Sequence, residues 1–238
     1  MSIADLVLTR ANIITMDLKR PRAQVVAIND DKISLVGDDE PSRVKGARTR
    51  IIDCQGRTVL PGFNDAHCHV LSFVRKLLSL DLSPSAVGSI SDIKVAISHQ
   101  AQNTPRGRWI TCTDYNEFYL AEKRHPTRRD IDEVAPHHPV MLTHRSLHAC
   151  VLNSLALSLV GITEKTPEPP GGLIDRDLDT GEPNGILFEM VGYIRGKVLS
   201  PFTEEEMLRG INLANRYYLS LDITSLASGP IAPKDAHP

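Results

Sequence analysis

The chain is short of the features that tie a protein to a charged partner or a bilayer. Its 27 Lys and Arg are offset by 29 Asp and Glu, leaving a net charge of −2 over 238 residues. That balance offers no electrostatic footprint for nucleic acid or an anionic membrane. No apolar run approaches the roughly 18–20 residues that span a bilayer. The start, Met1-Ser2-Ile3-Ala4-Asp5, lacks the basic and apolar regions of a signal peptide. A cytoplasmic location is the expectation. Cysteine is scarce too: Cys54, Cys68, Cys112 and Cys150 are widely spaced and contain no Cys-x-x-Cys. They read as buried free thiols rather than as disulfides or a thiolate zinc site. What is present, 41% hydrophobic residues, is enough for a sizeable core.

The first sixty residues read as β. Strands are expected over 6–9, 12–16, 25–28, 32–37, 50–54 and 57–60. Asn29-Asp30-Asp31 makes the turn of a hairpin between the third and fourth. Later, 91–100 reads as a helix capped by Ser91, with Ile93 and Ile97 on one face. Strands follow at 108–113 and 139–143. Pro126 and Thr127 lead into a short helix. Asn153 opens another helix, which Gly161 ends. Glu182-Pro183-Asn184-Gly185 reads as a turn before an apolar strand. Over 203–220 a strong amphipathic helix is expected, capped by Thr203, with three glutamates in its first turn and Met207, Ile211, Ala214 and Tyr218 on one side. The stretch 229–238 is Pro-rich and shows no periodicity.

The most informative run is Pro61-Gly62-Phe63-Asn64-Asp65-Ala66-His67-Cys68-His69. Alternate side chains of an extended chain share a face, so His67 and His69 can converge on one ion while Cys68 points away. Neutral imidazole is a common ligand for zinc and similar metals. The bland alternative is a pair of histidines satisfied by hydrogen bonds in a loop.

With the apolar segment before it, this run resembles the first barrel strand of the amidohydrolase superfamily. The middle of the chain resembles one branch of it, the one that includes proteins similar to N-substituted formamide deformylases. That likeness rests on 120–132, on His138-Pro139-Val140, and on His148 with Asn153-Ser154 and Ala156-Leu157. Pro170-Gly171-Gly172 and Gly185-Ile186-Leu187-Phe188-Glu189 add to it. Two positions depart from the branch. A glycine commonly precedes its loop histidine, where Leu147 stands here, and its Gly-Trp or Gly-Tyr element reads Cys112-Thr113-Asp114-Tyr115.

The resemblance implies an α/β chain: the N-terminal part of a metal-dependent (β/α) barrel hydrolase, with a flanking small β-sandwich and an inserted α+β region, the barrel being incomplete in this chain. The sandwich portion would take residues 1–57, the first barrel strand with its metal motif 58–75, the insertion 76–200, and a barrel helix, second strand and tail 201–238. It implies His67 and His69 as ligands of a divalent metal, zinc foremost, at the C-terminal mouth of the barrel. It also implies a general-base aspartate and further ligands on strands beyond residue 238. The expected activity is hydrolysis of carbon–nitrogen bonds other than peptide bonds, in small amides or formamides. The expected partner is the small-molecule substrate, with no nucleic acid or membrane and with self-association open.

Four further residues are candidates for the substrate side. His148 belongs, by resemblance, to a loop facing the substrate; metal binding and a structural role are its alternatives. Tyr115 and Asn116 either line the pocket or pack. Glu189 either faces the pocket or is a helix-start carboxylate. His144 and His148, four apart, would suit a helix face but lie between strand-like runs. His125 reads as a structural hydrogen-bonder, and His137-His138 as solvated loop. With two ligands in hand, the chain alone is expected to hold metal weakly and to be inactive. Against the hydrolase stands a non-catalytic module that binds metal weakly or serves an interaction.

Overall fold

The computed structural model describes residues 3–38, 41–198 and 203–228; the Pro-rich stretch 229–238 lies outside them. The chain divides into two compact units. One comprises Met1–Cys68 with Tyr218–Ala227, and the other chiefly His69–Tyr217.

The first unit is built from short strands: β1 (Leu6–Thr9), β2 (Asn12–Ile14), β3 (Arg22–Ala23), β4 (Val25–Asn29), β5 (Lys32–Gly37), β6 (Arg50–Asp53) and β7 (Thr58–Val59). They form a four-stranded sheet in the order β5-β4-β1-β6 and a three-stranded sheet in the order β3-β2-β7. The β4–β5 hairpin turns where Asp30 takes a left-handed φ of 52°, a conformation Asp tolerates better than most residues. The second strand stops at Ile14 rather than reaching Met16, which also has a positive φ, 62°. Ala11, Ile13, Ala23, Val26 and Cys54 form a core to which both sheets contribute. After Pro61-Gly62 comes β8 (Phe63–Cys68), which among the described residues pairs with the last strand.

The second unit begins with α1 (Val70–Leu78), β9 (Leu80–Asp81), α2 (Ile90–Gln102) and β10 (Ile110–Tyr115). It continues through α3 (Arg128–Asp132), β11 (Val140–His144), β12 (Ala149–Leu152), α4 (Ser154–Val160), β13 (Leu173–Arg176), β14 (Pro183–Phe188) and α5 (Val191–Val198). Its sheet has six strands in the order β13-β14-β12-β11-β10-β9. The strands β9, β10 and β11 run parallel, and β11, β12, β14 and β13 alternate in direction. Both faces are covered, and strand alternation decides which residue goes where. Val140, Leu142, Val151 and Ile186 face one core with Ile93 and Ile97 of α2 and Ile131 of α3. Met141, Cys150, Leu152 and Leu187 face the other, with Leu157 and Val160 of α4 and Ile194 of α5. Each such fully covered aliphatic side chain contributes about 2 kcal/mol.

Helix ends follow local chemistry. The cap of α2 is Ser89, not Ser91: Ser89 is extended and its Oγ accepts from the Asp92 N–H at 3.1 Å, while Ser91 lies inside the first turn. Thr127 and Asp130 form a reciprocal capping box on α3. Asn153 caps α4, and Gly161, at φ 75°, ends it. The Asn153 side chain is fully buried. It accepts from the N–H groups of Val140 and Ala156 and donates to the carbonyls of Ala135 and His138, between 2.9 and 3.3 Å. One amide thus ties a helix start, a strand start and two loop carbonyls. The expected turn at 182–185 is instead the start of β14. Gly185, at φ 102°, belongs to that strand, and a Cβ there would meet the Leu152 carbonyl at 2.5 Å.

Next comes α6 (Glu204–Ser220), with Thr203 and Glu206 bonded to each other's N–H groups as a capping box. Its buried positions are Gly210 and Ala214, whereas Ile211 is exposed. The reason is close approach: a Cβ on Gly210 would collide with Val74 of α1. The chain then enters β15 (Ile223–Ser228), the partner of β8. Phe63 and Leu226 on this pair are exposed. No closed barrel is formed among the described residues.

Candidate functional site

The Pro-Gly-Phe-Asn-Asp-Ala-His-Cys-His run has a local logic. Gly62 passes so close to Thr224 of β15 that any Cβ would clash, and the Phe63 N–H donates to the Asp222 carbonyl at 2.8 Å. Asp65 Oδ1 accepts from the His67 N–H at 3.0 Å. This side chain-to-backbone bond, two residues on, fixes the end of the strand. His67 is the penultimate residue of β8, and His69 is the N-cap of α1, its carbonyl accepting from the Phe73 N–H at 3.0 Å. Both histidines are exposed and Cys68 between them is half-buried. A catalytic zinc takes about three protein ligands. Among the described residues no group of three or more His, Cys, Asp or Glu is gathered as a metal site. The donor type suits a divalent metal; the donor number falls short.

The other candidates gather at one end of the six-stranded sheet, where β10, β11 and β14 finish and β12 begins. Tyr115 and His144 are register partners at the ends of β10 and β11. Ala149 and Phe188 are partners at the start of β12 and end of β14. His148 and Glu189 therefore arrive side by side, with the His148 Nδ1 2.9 and 3.0 Å from the two carboxylate oxygens. A carboxylate only accepts, so Nδ1 carries the proton and Nε2 is left for another partner. The Glu189 N–H also donates to the His148 carbonyl at 2.6 Å. Both side chains are well exposed.

Tyr115 and Asn116 are placed differently from His148. Tyr115 is fully buried in the first core, and burial raises its phenol above its ordinary value. Its hydroxyl lies 3.0 Å from His125 Nδ1, so His125 has the structural bond expected of it. Asn116 accepts from the Phe118 N–H at 3.1 Å and caps a turn. His138, expected in solvent, is buried and lies 3.2 Å from the Arg108 carbonyl through Nδ1, whereas His137 is exposed. His144 and His148 lie on no helix: the first ends β11 and the second ends the turn before β12.

Sequence reasoning passed over Glu117 and Ser146. Glu117 Oε2 lies 2.9 Å from His144 Nε2, and Glu117 Oε1 lies 3.8 Å from His125 Nε2. Burial, chiefly, and the His144 ring hold His125 below its ordinary value, against the opposing pull of Glu117 and Asp175. Ser146 links His144 to the loop. Its N–H donates to His144 Nδ1 at 3.1 Å, and its Oγ lies 2.7 Å from that nitrogen. The available signal was His144-Arg145-Ser146-Leu147-His148 itself, two histidines bracketing a hydroxyl in a strand-to-strand turn.

Three non-glycine residues at this end have left-handed backbones: Asp114 at φ 70°, Leu147 at 65° and Glu189 at 56°. Leu147 is the residue read above as standing in place of a glycine, and Asp114 lies within the departing Cys112–Tyr115 element. The backbone conformation that favours glycine is present, and the side chain bears the cost, on the order of 1 kcal/mol. Asp114 sits in a bulge of β10, where the register slips before Tyr115, and pairs with Lys76 of α1 at 2.8 Å. Strain of this kind gathers where side chains must be aimed.

The amidohydrolase family model matches residues 50–236. The chain belongs to the amidohydrolase family. It is 34% identical to an N-substituted formamide deformylase from Arthrobacter pascens, over 98% of this chain and 44% of that protein. It is 32% identical to a putative amidohydrolase, YtcJ, from Bacillus subtilis, over 81% of this chain and 36% of that protein. Among solved structures, an uncharacterized metal-dependent hydrolase from Pyrococcus furiosus superposes with a TM-score of 0.69 and 24% identity, over 96% of this chain and 45% of the other. That likeness shows the amidohydrolase fold. The chain spans less than half the length of these relatives.

Proposed function

We propose that this amidohydrolase-family chain is the part of a metal-dependent hydrolase that carries its first two metal ligands, His67 and His69. The bonds hydrolysed are carbon–nitrogen bonds of small amides or formamides, not peptide bonds. The observation that carries the reading is the family match through residues 50–236, with His67 near the end of a strand whose Asp65 holds its backbone and His69 at the helix cap that follows. The 34% identity to a formamide deformylase supports the bond type.

The chemistry a divalent ion supplies is Lewis-acid activation of a carbonyl and of water. This chain's own residues bind and orient. His67 and His69 offer imidazoles, one at the end of β8 and one at the cap of α1. His148, its Nδ1 proton directed at Glu189, presents Nε2 as an acceptor for a substrate N–H. Tyr115 and Asn116 act one layer back, as buried packing and as a turn cap. With two ligands of about three, the 238 residues alone are proposed to retain metal weakly.

An assay of N-alkylformamide hydrolysis with added zinc tests this, comparing the 238-residue chain with the product of its whole reading frame. Turnover by the latter, reduced at least about a hundredfold in His67→Ala, is expected. Full turnover in that variant would contradict the ligand assignment, and no turnover by either protein would favour the non-catalytic module.

A further inference from the structure

At the end of the six-stranded sheet, Glu117 and His144 form a buried pair whose partners lead outward to His148. Glu117 Oε2 and His144 Nε2 are both buried, and neither has an aligned hydrogen-bond partner among the described residues. They lie 2.9 Å apart, so each compensates the other where both atoms are shielded from solvent. The far side of the ring is fixed. The Ser146 backbone N–H can only donate, and it donates to His144 Nδ1 at 3.1 Å. That nitrogen therefore holds a lone pair, and the ring proton sits on Nε2, facing the carboxylate. Ser146 Oγ, 2.7 Å from the same Nδ1, accepts in turn from the His148 N–H at 3.2 Å. The Leu147 N–H closes the turn on the His144 carbonyl at 3.0 Å, with Leu147 held at φ 65°. The Ser146 N–H bond requires the Nε2–H tautomer, and the other bonds of the turn are built around the Ser146 that it seats.

We propose that Glu117 is a positioning residue for His148: by selecting the Nε2–H form of His144, it makes Nδ1 the acceptor that seats Ser146 and holds the strained turn presenting the His148 imidazole. This rests on the reading of His148 as a substrate-facing group and adds a residue that touches neither substrate nor metal. A purely packing role for Glu117 would predict no dependence on its acceptor oxygen. The positioning role predicts that Glu117→Gln, which keeps such an oxygen, largely preserves the turn, and that Glu117→Leu does not.

The test uses the 238-residue chain with nitrogen-15 imidazoles and amide hydrogen exchange. In the wild type, His144 should report the Nε2–H tautomer. In Glu117→Leu that tautomer preference should be lost. Exchange at the Leu147 and His148 amides should quicken by about tenfold or more, the scale of leaving one buried polar group uncompensated, while the Val151 amide inside β12 is unchanged. Glu117→Gln should restore most of the protection. Ser146→Ala combined with Glu117→Leu should loosen the turn no more than either change alone, because both act through His144. An Nδ1–H tautomer in the wild type overturns the proposal. So do equal effects of Gln and Leu, or loosening that extends to Val151. His148→Ala separates the two readings. If it leaves formamide turnover by the whole reading frame intact, His148 does not face substrate, although the tautomer results would still show that Glu117 shapes the turn.

Discussion

The six-stranded sheet and the β8–β15 pair are both made of short strands, yet they are supported in opposite ways. Every central strand of the large sheet is covered on both faces, and Val140, Leu142, Val151, Leu152 and Leu187 have no measurable exposure. On the β8–β15 pair, Phe63 is 55% exposed and Leu226 is 39% exposed. The large sheet can therefore store strain at its end, where Asp114, Leu147 and Glu189 hold left-handed backbones. The small pair relies on local devices, a glycine at a close approach and an aspartate bonded to the backbone of His67. Precision at the His148 loop comes from packing beneath it; precision at the His67–His69 run comes from bonds within it.

The largest effect should come from removing the buried amide that ties the large sheet together. Asn153→Ala removes four buried hydrogen bonds, to two N–H groups and two carbonyls. We expect it to destabilise that unit by about 3 kcal/mol. The single tryptophan, Trp109, packs against the second core, so its fluorescence in a urea titration reports this unit. Gly62→Ala in the other unit should leave the Trp109 transition where it is. An equal shift from both substitutions would break the contrast between the regions.

A smaller effect belongs to the α3 capping box. Burial favours protonation of Asp130, but hydrogen bonds from Arg124 and Thr127 outweigh it and lower the carboxyl to about 2. Because the folded value lies below the unfolded one, near 3.8, the stabilisation is complete above that pH and is lost as pH falls toward 2. Asp130→Ala should cost about 1 kcal/mol at neutral pH and flatten the acid limb of the stability curve over that window. An unchanged acid limb in urea titrations of the variant would count against the assignment.

The smallest effect is expected at Leu147. Its side chain is exposed and its φ is positive. Leu147→Gly should therefore be neutral or stabilising by up to about 1 kcal/mol, where glycine in an ordinary exposed position costs stability. A loss above 1 kcal/mol in the Trp109 transition would show that the leucine makes an apolar contact that offsets the strain.

Much of the fold was legible because its signals are local. The β4–β5 hairpin, the Thr203 cap, and the Asn153-to-Gly161 helix each announce themselves within a few residues. So did the extended run carrying His67. What was not legible depends on register. Glu117, His125 and His144 meet because Tyr115 pairs with His144 across β10 and β11, and no spacing in the sequence encodes that. Ser89 and Ser91 are the same residue type two positions apart, and the extended backbone at Ser89 decides which one caps. His138 looks like solvated loop beside His137, yet its neighbours Ala135 and Pro139 are buried with it. The departures at Leu147 and within Cys112–Tyr115 were visible, but only the backbone angles show that Leu147 and Asp114 adopt left-handed conformations.

The central claim, that His67 and His69 are metal ligands, is tested most directly by cobalt and zinc titration of the 238-residue chain. Equilibrium dialysis beside the cobalt absorption spectrum would read it, with His67→Ala/His69→Ala as the control. The account predicts weak, saturable binding, because two imidazoles are an incomplete set, and loss of that binding in the double variant. Binding of equal strength in the double variant would contradict it.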